Sequence, residues 1–166
     1  MPESIRVIND PILRKVCEPV DINAVVLQDL DNLLNTMSAT MTAEGGIGLA
    51  ANQIGRSLRI FILKNETSYD VYINPEILSA EEPVMFEGEG CLSIPGTSAT
   101  TKRFKRVKLT WLDIQGTKRE DTFEDMKAFS VQHEIDHLDG KLYVDQLGPV
   151  RRDLVLSRHR KFLKRR

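Results

Sequence analysis

The stretch Gln132-His133-Glu134-Ile135-Asp136-His137 decides how the rest of the chain is read. Two histidines four residues apart on a helix project from one face, one turn apart. Both imidazoles therefore reach a single metal ion, and Glu134 stands beside them as a candidate proton carrier. The surroundings carry a helical period: from Asp125 onward Met126, Phe129, Ser130, His133 and His137 share a face, and Asp139-Gly140 is a natural stop. Residues one and two turns before His133 are thus expected to line whatever pocket adjoins the metal.

The bulk properties leave room for one domain, residues 1–166, which at this size buries roughly 70% of the surface of its unfolded form and needs no disulfide merely to fold. Hydrophobic residues at 41% and charged residues at 28% are ordinary globular values, and no apolar run approaches a membrane span, so a soluble protein with no membrane partner is expected. The start, Met1-Pro2-Glu3-Ser4-Ile5-Arg6, has neither an apolar signal core nor an Arg/Ser-rich presequence, which points to the cytoplasm. In a reducing compartment Cys17 and Cys91 read as ligand or core filler rather than as a disulfide. The net charge of −1 hides an asymmetry: Arg151, Arg152, Arg158, Arg160, Lys161, Lys164, Arg165 and Arg166 face the single acid Asp153, giving a basic C-terminal helix over 149–166.

Before these elements, Pro11 and Pro19 break Ile5 to Val20 into an extended entry with a turn, in which Cys17 is a buried small hydrophobe. Val25, Val26, Leu30, Leu33, Leu34, Met37 and Met41 recur at three- and four-residue spacings, predicting an amphipathic helix from Asp21 to Met41. Gly46 to Ala51 formally matches a dinucleotide-binding fingerprint, but that motif needs a strand before it and a helix after it, and here the order is reversed. The glycines and alanines of Gly45 to Gly55 instead lay the backbone open to a ligand or another chain. Arg59 to Leu63 and Val71 to Asn74 read as strands, the second ended by Pro75, and Arg106 to Asp113 with Asp121 to Phe123 as a hairpin packed by Trp111. Phe86 to Gly96 is a glycine-rich, proline-terminated stretch that sets Cys91 on a tight backbone. Leu142 to Asp145 reads as a short extended piece, and His159 as a solvated residue of the basic tail.

A histidine pair on a helix is a specific metal signal once a third ligand is available. His159, Cys17, Cys91 and carboxylates such as Glu89 are the candidates, with Cys91 the better placed. A Cys/His/His set leaves a fourth position for water, and a divalent ion lowers that water's pKa toward about 7, which favours hydrolysis. Glu134 would then carry the proton, while the Gln53 amide and the Leu92 backbone N–H are available to an oxyanion.

Gly46-Ile47-Gly48-Leu49-Ala50-Ala51-Asn52-Gln53, Glu89-Gly90-Cys91-Leu92-Ser93 and Gln132-His133-Glu134-Ile135-Asp136-His137 together resemble the three motifs of the peptide deformylases, in order and spacing, and the likeness extends over most of the chain. The resemblance implies metal ligands Cys91, His133 and His137, Glu134 as general acid and base, and Gln53 with the Leu92 amide as oxyanion site. It also implies Fe(II) as the native ion, with zinc, nickel and cobalt as ions such sites accept, and removal of the N-formyl group from nascent peptides that begin with formyl-methionine. The residues suit that substrate: Gly46 and Gly48 give a tight approach for a small acyl group, and Ile47, Met126, Phe129 and His133 build an apolar slot for methionine. Backbone of the glycine-rich stretch can pair with the peptide as an added strand, and Asp136 is expected to pair with Arg103. Ser98, where an arginine is common in the family, and Gly88, where bulkier residues are common, depart from the pattern. The basic tail fits docking to the ribosome, a polyanion, without sequence-specific nucleic-acid recognition.

The expected fold is α+β: a central helix bearing His133 and His137 packed among antiparallel strands, with an N-terminal amphipathic helix and the basic C-terminal helix outside. Two rivals are a zincin-like endopeptidase, whose third ligand would lie downstream of His137, and a catalytically quiet ribosome-binding paralogue, against which Gln53, Leu92 and Glu134 argue.

Overall fold

The computed structural model describes residues 1–165. Helix α1 (Leu27–Ala43) is followed by strands β1 (Gly48–Ala50), β2 (Ile60–Lys64), β3 (Tyr69–Glu89), β4 (Ala99–Leu112) and β5 (Lys118–Glu124). Helices α2 (Asp125–Leu138) and α3 (Pro149–Leu163) complete the chain, with short 3-10 turns at Pro11–Arg14, Ala51–Ile54 and Tyr143–Gln146. The strands pair antiparallel in the order β1-β2-β3-β4-β5, so β1 is an edge. The α+β expectation holds.

β2 shows why α2 sits where it does. Its side chains alternate faces, and both faces are apolar. Phe61 and Leu63 pack with Ala128, Val131, Ile135 and Leu138 of α2, together with Tyr72, Val107, Leu109 and Phe123 from the neighbouring strands. Ile60 and Ile62 point the other way, against Leu30, Leu34, Met37 and Met41 of α1. Each face of this part of the sheet is therefore closed by one helix stripe, and the histidine pair is carried on the opposite side of α2 from its core stripe. Trp111 packs at the sheet as expected, tilted against Tyr72 and Phe123. Among the described residues no helix is long and apolar enough to cross a membrane.

Several expectations are corrected. α1 starts at Leu27 rather than Asp21, because the Asp21 carboxylate accepts from Asn23 N–H and its carbonyl from Ala24 and Val25, holding that segment in a turn. Pro75 does not end a strand: Asn74 takes a left-handed conformation (φ 49°), its amide bonds both Val20 N–H and Val20 C=O at 2.8 Å, and β3 continues past a register shift to Glu89. The missing N–H of Pro75 falls at that irregularity, where the ladder does not need it. Part of the open glycine-rich stretch is itself strand β1, and residues 143–146 form a 3-10 turn rather than an extended piece. His159 is buried rather than solvated, 3% exposed. α3 ends at Leu163, and Arg166 lies outside the described residues.

Candidate metal centre

α2 and the segment after β3 bring Cys91, His133 and His137 together, with one potential ligand atom from each within 4.8 Å of the others. Cys91 Sγ lies 3.2 Å from His137 Nε2. His133 Nδ1 is taken by Glu89 Oε1 at 2.7 Å, which fixes the imidazole and leaves its Nε2 for the cluster. Of the other candidate ligands, Cys17 is buried in the core behind α2, and burial pushes its thiol up to about 11. His159 Nδ1 donates to Pro95 C=O.

Glu89 is not a fourth donor but the hub of a buried ion pair. Its carboxylate accepts from Arg103 Nη2 (2.5 Å), Arg103 Nε (2.9 Å), Thr101 Oγ1 and His133 Nδ1. Arg103 in turn reaches Asp136 at 2.6 Å, as expected. Burial alone would push the Glu89 carboxyl up, but the hydrogen bonds from His133 and Arg103 and the Arg103 charge outweigh it and hold the group at about 2. Sequence reasoning weighed Glu89 only as a possible ligand. The signal for its role is the alternation on β4, where Thr101 and Arg103 point to one face, an arginine turned inward with nothing local to pair with.

On the other side of the histidines, Glu134 is 4% exposed and burial raises its carboxyl to about 7. Among the described residues, three buried side-chain polar atoms lack a hydrogen-bond partner: Glu134 Oε2, His137 Nδ1 and Asn52 Oδ1. Gln53 is oriented by Ala50 N–H, which donates to its Oε1 at 2.9 Å, so its Nε2 points to Ser93 Oγ (3.1 Å) and toward Cys91 Sγ (3.8 Å). Ser93 was not anticipated from sequence. Gly48 is required by proximity: a Cβ there would sit 2.5 Å from Glu134 Oε1 and 2.8 Å from a Leu63 methyl.

The donors fit a divalent cation. Burial drives His137 toward its neutral, ligating form, with the neighbouring His133 charge acting in the same sense. Burial also opposes charge on His133, yet the adjacent Cys91 and Glu89 overcome it and raise its pKa well above the ordinary value. One sulfur with two imidazoles suits a borderline-soft ion.

The cluster opens into a cleft of about 720 Å³. Gly46, Ile47, Gly48, Gln53, Cys91, Leu92, Met126, Phe129, His133 and Glu134 all line it, with His137 buried beneath. Phe129 stacks on Phe86 at 4.6 Å between ring centres, and both rings line the cleft with Met126.

A sequence profile described as polypeptide deformylase matches residues 2–153. A peptide deformylase of Mesorhizobium japonicum is 41% identical, with 95% of this chain and 91% of that protein covered. The crystal structure of a peptide deformylase from Legionella pneumophila superposes with a TM-score of 0.92 at 39% identity, covering 99% of this chain and 96% of that one. A Met-Ala-Ser-bound class I type b peptide deformylase from Acinetobacter baumannii superposes at 0.82 with 34% identity, covering 89% and 99%. With the cysteine, two histidines and glutamate gathered in one cleft, these likenesses over nearly the whole length mean that the chain belongs to the peptide deformylase family, hydrolases that remove the N-formyl group from nascent peptides.

Proposed function

We propose that Cys91, His133 and His137 hold one divalent ion, Fe(II) in the cell, and that Glu134, Gln53 and the Leu92 amide carry out deformylation beside it. When bound, that ion, or zinc, nickel or cobalt in its place, supplies Lewis-acid activation of water. Glu134 accepts a proton from the attacking water through its unpartnered carboxylate oxygen. As the new C–O bond forms, charge on the formyl oxygen is met by Gln53 Nε2 and Leu92 N–H. Glu134 then delivers the proton to the amine nitrogen as the C–N bond breaks, and formate leaves. A carboxyl held near 7 can both take and return that proton at neutral pH.

Substrate fit follows from the same walls. Side chains already crowd the missing Cβ positions of Gly46 and Gly48, leaving space suited to the smallest acyl group. Ile47, Met126 and the Phe86–Phe129 stack form the apolar slot, whose ring edges suit a methionine sulfur. β1 is a sheet edge at the cleft, so a peptide can extend the sheet there, and recognition through main-chain bonds ignores most downstream side chains. The relative crystallised with Met-Ala-Ser supports a tripeptide of this kind as ligand.

The observation that carries this reading is the coincidence, in one cleft, of a three-donor cluster with a buried glutamate whose carboxylate has an open acceptor. Anaerobically Fe(II)-loaded protein should release formate from formyl-Met-Ala-Ser and leave its internal peptide bonds intact. Cleavage within the peptide, or no formate at all, would overturn it.

Formylated chains emerge from cytoplasmic ribosomes, and α3 with the two residues after it presents Arg151, Arg158, Arg160, Lys161, Lys164 and Arg165 to solvent, so we place the enzyme there with α3 as its docking surface. Removal of 158–166 should abolish co-sedimentation with ribosomes at low salt. Undiminished co-sedimentation would exclude α3 as the contact.

A further inference from the structure

The family match stops at Asp153, yet the chain beyond it reaches the cleft. Val155, His159 and Phe162 lie on one face of α3, spaced by four and three residues. Val155 is buried with Ile94, Tyr143 and Val144, and His159 Nδ1 donates to Pro95 C=O at 3.1 Å. Phe162 sits on Gly96, which has φ +77° and whose missing Cβ leaves the space that the Phe162 ring occupies. The helix is thus locked onto the segment that follows Cys91 and Leu92. Phe162 remains half-buried, and with Leu163 it lines the same cleft as the metal ligands, beside Ile5, Val7 and Pro95. These apolar residues come from the N-terminal segment, the segment after Cys91 and the tail rather than from α2, whose Met126 and Phe129 serve the methionine slot, and Ser4 and Thr97 lie among them.

We propose that Phe162, with Ile5, Val7, Pro95 and Leu163, forms a second apolar subsite that receives a side chain of the peptide downstream of its formyl-methionine. The tail helix is then a determinant of substrate choice. This rests on the deformylase reading. An aliphatic side chain gains by leaving water there, and partial burial of a leucine relative to alanine supports a preference of about fivefold.

The test is kcat/KM for formate release from formyl-Met-Leu-Ser and formyl-Met-Ala-Leu, each divided by the value for formyl-Met-Ala-Ser, in the wild type, F162A and F162L. In the wild type at least one leucine peptide should be favoured about fivefold. F162A should bring that ratio to about one, and F162L should restore most of it. Because each ratio is internal to one variant, a general loosening of the helix cancels. A wild-type ratio near one, or a ratio unchanged in F162A, would overturn the subsite. No formate from any peptide with the wild type would instead sink the deformylase reading itself.

Discussion

On one side of His133 lies a set of buried polar groups that satisfy one another, and on the other side lies a set that does not. Toward β4, Glu89 and Arg103 are each 4% exposed and tied together by paired charge-assisted bonds, with Asp136, Thr101 and His133 Nδ1 closing the network. Beyond the histidines, Glu134 Oε2 and, on the ring edge turned away from Cys91, His137 Nδ1 are equally buried and have no partner among the described residues. The same solvent exclusion therefore yields opposite results: Glu89 is held at about 2, whereas Glu134 is raised to about 7. The difference separates what holds the site from what reacts in it. A satisfied network orients His133, and the open Glu134 carboxylate is left for a water and a substrate.

Glu89→Ala breaks this contrast most severely, since it leaves Arg103 buried with only Asp136, whose side chain is 26% exposed. It should cost about 3 to 5 kcal/mol in denaturant unfolding and weaken metal affinity about 10- to 100-fold, read by competition with a chelator. Unchanged stability would mean that the network does not hold the site.

The two carboxylates should also show opposite pH linkage in metal-free protein. Glu89 lies below its ordinary 4.5, so its contribution is complete above pH 4.5 and lost as the pH falls toward 2. Glu134 lies above it, so the fold is favoured fully below pH 4.5 and loses that advantage as the pH rises through 7. Each is worth about 3 kcal/mol. Glu134→Gln should therefore stabilise the metal-free protein by about that amount at pH 8 and not at pH 4, measured by urea unfolding. A destabilised variant at pH 8 would mean that Glu134 belongs to the satisfied side.

A smaller effect distinguishes the two cysteines. Cys17 is 2% exposed and burial raises its thiol to about 11, whereas Cys91 faces the cleft. In metal-free protein iodoacetamide should label Cys91 at least about tenfold faster than Cys17, followed by peptide mass spectrometry. Equal rates would contradict the assigned burial.

What sequence made legible was local. The period of three and four residues gave α1 and α2, and the His133–His137 spacing placed two donors on one face before any fold was known. Three short motifs were enough to name Cys91, Gln53, Leu92 and Glu134, and the structure gathers all of them at one cleft. What it hid was decided by distant partners. β3 runs through Pro75 because Asn74 bonds to Val20, fifty-four residues away. Glu89 is a hub because Arg103 arrives from the next strand. His159 is buried because Pro95 offers it a carbonyl, although its neighbours Arg158 and Arg160 suggest solvent. Polar residues that satisfy one another across the fold leave no periodic trace in the chain.

The measurement that bears most directly on the division between holding and reacting is kcat for formate release by Glu134→Gln, with metal content confirmed equal to wild type. Gln keeps the size of the side chain but cannot accept the proton, so kcat should fall by about 10²- to 10⁴-fold at full metal occupancy. A fully loaded variant with kcat within about threefold of wild type would show that the unpartnered carboxylate is not the proton carrier.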